Sequence, residues 1–115
     1  MDATRYQTLA KRTLLDGPGF ILSDQDIMTL WTALGLAGEA GEVAEIAKKG
    51  IFHQHGLDKD RIKKELGDVL WYAAGLASTL GFDLSSIMHE NIEKLEERYP
   101  EGFTSDDSIA RRDVK

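Results

Sequence analysis

One long helical stretch in the first half of the chain does most to limit its fold. Ser23-Asp24-Gln25-Asp26 opens it, with a serine to accept backbone hydrogen bonds and acids for the positive end of the helix dipole. Lys48-Lys49-Gly50 gives the opposite signals, cations in a last turn followed by a glycine cap. The spacing predicts a helix from Asp24 to about Lys49, roughly 38 Å long if continuous. A rod of that length needs other helices alongside it to cover its apolar side.

The remaining sequence supplies them. From about Asp2 to Leu15, Tyr6, Leu9, Ala10, Thr13 and Leu14 recur at helical spacing behind a possible cap at Asp2. Asp16-Gly17-Pro18-Gly19 breaks that helix. Residues Ile51 to Leu57, with two histidines and Gly56, form a connector. Asp58 caps a helix from Lys59 to Leu80, which Gly81 stops. Asp83 caps another from Leu84 to Arg98, ended by Tyr99-Pro100-Glu101-Gly102. The expected fold is all-α, a four- to five-helix antiparallel bundle within residues 1–103. A chain of 115 residues has room for one domain with a modest core, so a second subunit is expected to complete the bundle. Residues 104–115 read as a loosely held polar tail.

Composition excludes several functions. With 42% hydrophobic and 30% charged residues, the chain is a folded soluble type. A net charge of −6 argues against a general nucleic-acid binder, because the phosphate backbone would repel it. Without cysteine there is no disulfide, thiolate nucleophile or sulfur-ligated zinc. No run approaches the length of a membrane span, and Met1-Asp2-Ala3-Thr4-Arg5 lacks an apolar signal region. A cytoplasmic location is the default expectation.

Two acidic pairs carry the chemistry. Glu39-Ala40-Gly41-Glu42 and Glu65-Leu66-Gly67-Asp68 each place two carboxylates three residues apart, on one helix face. In the first, Gly35, Gly38 and Gly41 sit within the helix, each costing about 1 kcal/mol relative to alanine. Selection for helix stability alone would avoid both the glycines and the like charges, so a crowded binding site is expected there. A solvated acidic face is the plain alternative. The second pair runs into the apolar Val69-Leu70-Trp71-Tyr72-Ala73-Ala74-Gly75-Leu76, which places Asp68 at the edge of a core and Trp71 inside it. Arg61 or Lys64 could simply pair with that acid. Glu39, Glu42, Glu65 and Asp68 together, with no cysteine, suit Mg²⁺, with Mn²⁺ as the alternative. None of His53, His55 and His89 has a glutamate three residues before it, which argues against a di-iron centre. Asn91, Lys94 and Arg98 share a face of the fourth helix and form a candidate phosphate grip. Lys48 and Lys49 offer either a helix-end charge or a phosphate contact. Tyr72, one turn beyond Asp68, and Trp31, two turns before Glu39, are candidates to stack on a base.

These motifs resemble those of the MazG-like, all-α nucleotide pyrophosphohydrolases, whose signature is Glu-Glu-x-x-Glu, a spacer, then Glu-x-x-Asp. Gly38-Glu39-Ala40-Gly41-Glu42 matches the first part with glycine in place of the leading glutamate. Glu65-Leu66-Gly67-Asp68 matches the second in full, with 22 residues between Glu42 and Glu65. The similarity runs from about Thr29 to Phe103 and includes Asn91-Ile92-Glu93-Lys94-Leu95 and Arg98-Tyr99-Pro100. It implies Mg²⁺-dependent hydrolysis of a nucleoside triphosphate to the monophosphate and pyrophosphate by a homodimer or homotetramer. It implies Glu39, Glu42, Glu65 and Asp68 as metal ligands, and Asn91 and Lys94 at the phosphate end. Gly38 leaves one acid missing, for which Glu45, one turn along, is a candidate substitute. The rivals are a dUTP/dCTP-selective or phosphoribosyl-ATP pyrophosphohydrolase on the same scaffold, and a non-catalytic helical interaction protein.

Overall fold

The computed structural model describes residues 1–17 and 19–114; Pro18, part of the expected helix breaker, and Lys115 lie outside the described residues. The fold is all-α. Its helices are α1 (Ala3–Ala10), α2 (Asp24–Ile51), α3 (Lys59–Thr79), α4 (Leu84–Arg98) and α5 (Ser105–Ala110). The expected caps start them. Ser23 Oγ accepts from the Asp26 N–H at 3.0 Å, while Asp26 Oδ2 accepts from the Ser23 N–H at 3.1 Å, a reciprocal box. Asp58 Oδ1 accepts from the Arg61 N–H at 3.0 Å, and Asp83 Oδ1 from the Ser85 N–H at 3.0 Å.

Helices α2 and α3 form an antiparallel hairpin that holds what core the chain has. At its far end Gln25 Nε2 donates to the Thr79 carbonyl at 3.0 Å. One level in, Thr32 lies opposite Gly75, where an added Cβ would sit 3.5 Å from Thr32 Cγ2. Thr32 is 2% exposed, and its hydroxyl donates to the Met28 carbonyl at 2.7 Å, so burial leaves no polar group unpaired. At the connector, Gly50 lets the chain return closely: a Cβ there would meet Gly56 O and Leu57 Cα at 3.0 Å.

Beyond the hairpin the chain is open. Helix α4 touches α3 only slightly, α5 rests lightly on α4, and α1 packs on no other helix among the described residues. The radius of gyration is 20.0 Å, against about 13 Å for a compact chain of this length. Several expectations change accordingly. Helix α1 ends at Ala10 rather than Leu15, because a short helix without a packing partner does not extend itself. Trp71, expected in the core, is 60% exposed, because α2 covers only one side of α3 and α4 stands away from the other. Asp68 is exposed for the same reason. The expected loose tail instead folds back on α4. Thr104 caps α5, Arg112 pairs with the buried Asp107, and Arg98 grips Asp113 with Nε at 2.6 Å and Nη2 at 2.7 Å.

Candidate metal centre

The hairpin register decides which acids meet. One turn along from the Gly35–Tyr72 contact, Glu39 of α2 faces Glu65 and Asp68 of α3. One carboxylate oxygen from each lies within 4.8 Å of those of the other two. Glu39 and Glu65 are half-buried. Glu39 is held above the usual carboxylate range, first by its hydrogen bond with Glu65, then by partial burial, then by the charges of Asp68, Glu65 and Glu42. Three acids this close repel one another, and a cation among them would relieve that repulsion. Their all-oxygen donors fit a hard divalent ion.

Glu42 stands apart from this triad. It faces a groove of about 430 Å³ between α2 and the connector, with Lys49, His55 and Arg61 among its neighbours. Glu45, the candidate substitute for the missing acid, is occupied by Lys48 at 3.0 Å and Lys49 at 3.3 Å. Those two cations hold its carboxyl below the ordinary range, which makes it a weak base. Lys49 is engaged by the same contact.

On the other side of the triad lies an aromatic cluster. Trp31 meets Tyr72 edge-on with ring centres 5.8 Å apart; Trp71 meets Tyr72 at 5.0 Å and Trp31 at 6.1 Å. The Tyr72 ring lies against the bare Cα of Gly35, where any Cβ would overlap it. The expected crowding of the first motif is therefore found at Gly35. Gly38 and Gly41 face open space, with nothing within 4 Å of an added Cβ.

Helix α4 does not bring its polar face to the groove. Asn91 and Lys94 line a separate shallow depression with Ile87 and Glu90. Both arms of the Arg98 guanidinium are taken by Asp113. Arg61, which the sequence offered only as a salt-bridge partner for Asp68, instead lines the groove beside Glu42 with no carboxylate paired to its side chain among the described residues. Its spacing held the signal: Arg61, Glu65, Asp68 and Tyr72 recur at three or four residues and so share one face of α3.

Comparison with known proteins places the chain in a family. Residues 29–103 match the family described as the MazG nucleotide pyrophosphohydrolase domain. The Gene 37 protein of Mycobacterium phage L5 is 40% identical over 76 residues, covering 63% of this chain and 67% of that protein. No solved structure matches. The matched span begins just before Trp31 and ends at Phe103, so it takes in the carboxylate triad, the aromatic cluster and all of α4. On this match and this architecture, the chain belongs to the MazG nucleotide pyrophosphohydrolase domain family.

Proposed function

We propose that this chain hydrolyses nucleoside triphosphates, ribo- or deoxyribo-, to the monophosphate and pyrophosphate with Mg²⁺. The observation that carries this is the convergence of Glu39, Glu65 and Asp68 from two helices in a chain of this family. These three would hold the ion, with Glu42 as a further ligand from the groove side; Mn²⁺ suits the same donors. When bound, the ion supplies charge neutralisation and polarises a phosphoryl oxygen.

In the reaction, a water oxygen bonds to the α-phosphorus and the bond from that phosphorus to the α–β bridging oxygen breaks. The bridging oxygen leaves with pyrophosphate. Glu42 is exposed, with no cation paired to it among the described residues, and would receive the water's proton at its carboxylate when not ligating. Tyr72 and Trp31 would receive the nucleoside, since both rings border the triad's other side. Lys49 would approach the phosphates only by releasing Glu45, and Arg98 only by releasing Asp113.

Helix α4 supports an oligomeric form. Ile92 is 55% exposed and Met88 63%, while Leu34 of α2 is 64% exposed and Leu70 of α3 67%. So much apolar surface on one chain favours a partner subunit. In a homodimer or homotetramer, closure of α4 from the same or a neighbouring chain would bring Asn91 and Lys94 to the phosphates. No helix among the described residues is long and apolar enough to cross a membrane, and a nucleotide substrate favours the cytoplasm.

The test is incubation of the purified protein with a panel of (d)NTPs and Mg²⁺ or Mn²⁺, with monophosphate, diphosphate and pyrophosphate resolved. Monophosphate plus pyrophosphate, lost in Glu42→Gln and Asp68→Asn, supports the reading. Diphosphate plus inorganic phosphate would place the cleaved bond elsewhere. No turnover, together with no metal-dependent rise in Tm, would sink both the enzyme and its metal.

A further inference from the structure

Two surfaces of the chain are bare, and they differ in charge. Residues 3–15 hold three cations, Arg5, Lys11 and Arg12, and no acid, in a chain whose net charge is −6. None of the three has an ion-pair partner among the described residues. Helix α1 sets Tyr6 and Leu9 on one face, and bonds from Arg12 N–H to the Leu9 carbonyl and from Leu14 N–H to the Lys11 carbonyl carry the winding on to Leu14. Tyr6, Leu9 and Leu14 are all exposed, since α1 packs on no other helix among the described residues.

Helix α4 is the counterpart. Leu84, Ile87, Met88, Ile92 and Leu95 recur at three or four residues, so they form one apolar seam, and all five are exposed. The rest of the helix carries Glu90, Glu93, Glu96 and Glu97, of which only Glu93 is in an ion pair, with His89. Arg98 is taken by Asp113, which leaves Lys94 to offset them. Two α4 helices laid seam to seam would set glutamate against glutamate, so the seam calls for a basic helix. Among the described helices, α1 is the one with a cation and no acid. The area is sufficient for such a contact. The chain exposes 9557 Å², against about 6,300 Å² for a compact monomer of this size. That excess is on the scale of an obligate interface between subunits.

We propose that α1 of one copy docks on the apolar seam of α4 in a second copy, with Tyr6 and Leu9 in the seam and Arg5 and Arg12 toward the α4 glutamates. This rests on the oligomeric reading above and names the segment that covers α4. Both surfaces are bare within one chain, where α1 and α4 do not touch, so each finds its complement in another copy. Two-fold symmetry makes the exchange reciprocal, since the same pair of surfaces then meets twice. Apolar burial supplies the affinity, and the charges select α4 and set the register. Helix α1 lies ahead of residues 29–103, so the contact is carried by a segment outside the family's matched span.

The chain has no cysteine, so introduced thiols report the contact directly. Leu9→Cys chains, mixed with ¹⁵N-labelled Ile92→Cys chains and oxidised, should give a disulfide-linked mixed dimer that mass spectrometry resolves. Thr8→Cys, on the opposite side of α1, should give several-fold less with the same partner. Absence of the mixed dimer, equal yields from the two α1 positions, or a Leu9→Cys/Ile92→Cys chain that closes on itself overturns the proposal. In light scattering, Leu9→Asp should weaken self-association about tenfold or more. Arg5→Glu with Arg12→Glu should weaken it about tenfold, with partial recovery from Glu96→Lys and Glu97→Lys. Because α1 packs on no other helix of its own chain, an unchanged circular dichroism spectrum checks that these variants are folded. If Ile92→Glu dissociates the protein and Leu9→Asp does not, the α4 interface stands and α1 is not its occupant. Association needs no turnover, so the contact and the activity fail separately. An inert chain that forms the mixed disulfide keeps the contact, and an active chain that does not form it loses the contact alone.

Discussion

The α2–α3 hairpin and the α4–α5 arm are built by different means. The hairpin closes through small residues: Gly75 against Thr32, Gly35 against Tyr72, Gly50 against Leu57. The arm is fastened by charge, Arg98 to Asp113 and Arg112 to Asp107, and leaves its apolar side bare. Close packing can hold carboxylates in a fixed constellation, as the triad requires. The bidentate Arg98–Asp113 pair fastens the tail to α4 but does nothing to cover that helix's apolar side. The difference fits the division proposed above, with the chemistry on the hairpin and a partner subunit against the arm.

The sharpest break would come at the triad. Asp68→Asn or Glu65→Gln should lower turnover at least about a hundredfold, since an ion held there would supply several kcal/mol of transition-state stabilisation. The same variants should abolish the rise in Tm on adding Mg²⁺. On the arm, Ile92→Glu should weaken self-association by roughly ten- to a hundredfold, the value of one buried aliphatic side chain, with light scattering as the readout. An unchanged mass would mean that the arm is not an interface.

Within the hairpin, Gly35→Ala should destabilise the fold by about 1–3 kcal/mol in urea titration, because the new methyl group overlaps the Tyr72 ring. Tyr72→Ala in the same chain should recover part of that loss; simple additivity of the two changes would show that the rings do not meet.

The two regions should also respond to pH with opposite sign. Glu39 has a raised carboxyl, so the folded hairpin binds a proton that the unfolded chain releases. Without metal, the hairpin's stability should fall as pH rises from 4.5 through the raised value, and Glu39→Gln or Mg²⁺ should flatten the curve. Asp113 is pulled down to about 2, chiefly by Arg98. Its contribution is present above 3.8 and is lost as pH falls toward 2, so the arm should fray in acid. Tm measured against pH separates the two. The smallest effect belongs to Asp113→Asn: faster hydrogen exchange in α5, unchanged exchange in α2 and α3, and turnover altered by less than about twofold.

Much of this was legible from local rules. Ser23, Asp58 and Asp83 announced three helix starts, and the acid pairs announced the triad, because capping and helical spacing depend only on near neighbours. Long-range registration was not legible. It sets Glu39 against Glu65 and Asp68 while leaving Glu42 to the groove, and it nests Tyr72 against Gly35. The exposure of Trp71 was hidden for a related reason. An apolar run shows that a face is coverable, but not whether the cover comes from the same chain. The clasp around Asp113 was masked by composition, since the charges that suggested a loose tail are the ones that fasten it.

Gly38 stands where the family pattern has its leading glutamate, and nothing among the described residues lies within 4 Å of a Cβ added there. The position is thus open to substitution in an unusually direct sense. Gly38→Glu would regain about 1 kcal/mol of helix propensity, less a few tenths for repulsion from Glu42 one turn away. One codon separates this helix from a richer acidic constellation, and no repacking of the hairpin stands in the way. A carboxylate can therefore be added at this position beside the triad without a Cβ clash, so the number of acids around the site is not set by the packing of the hairpin.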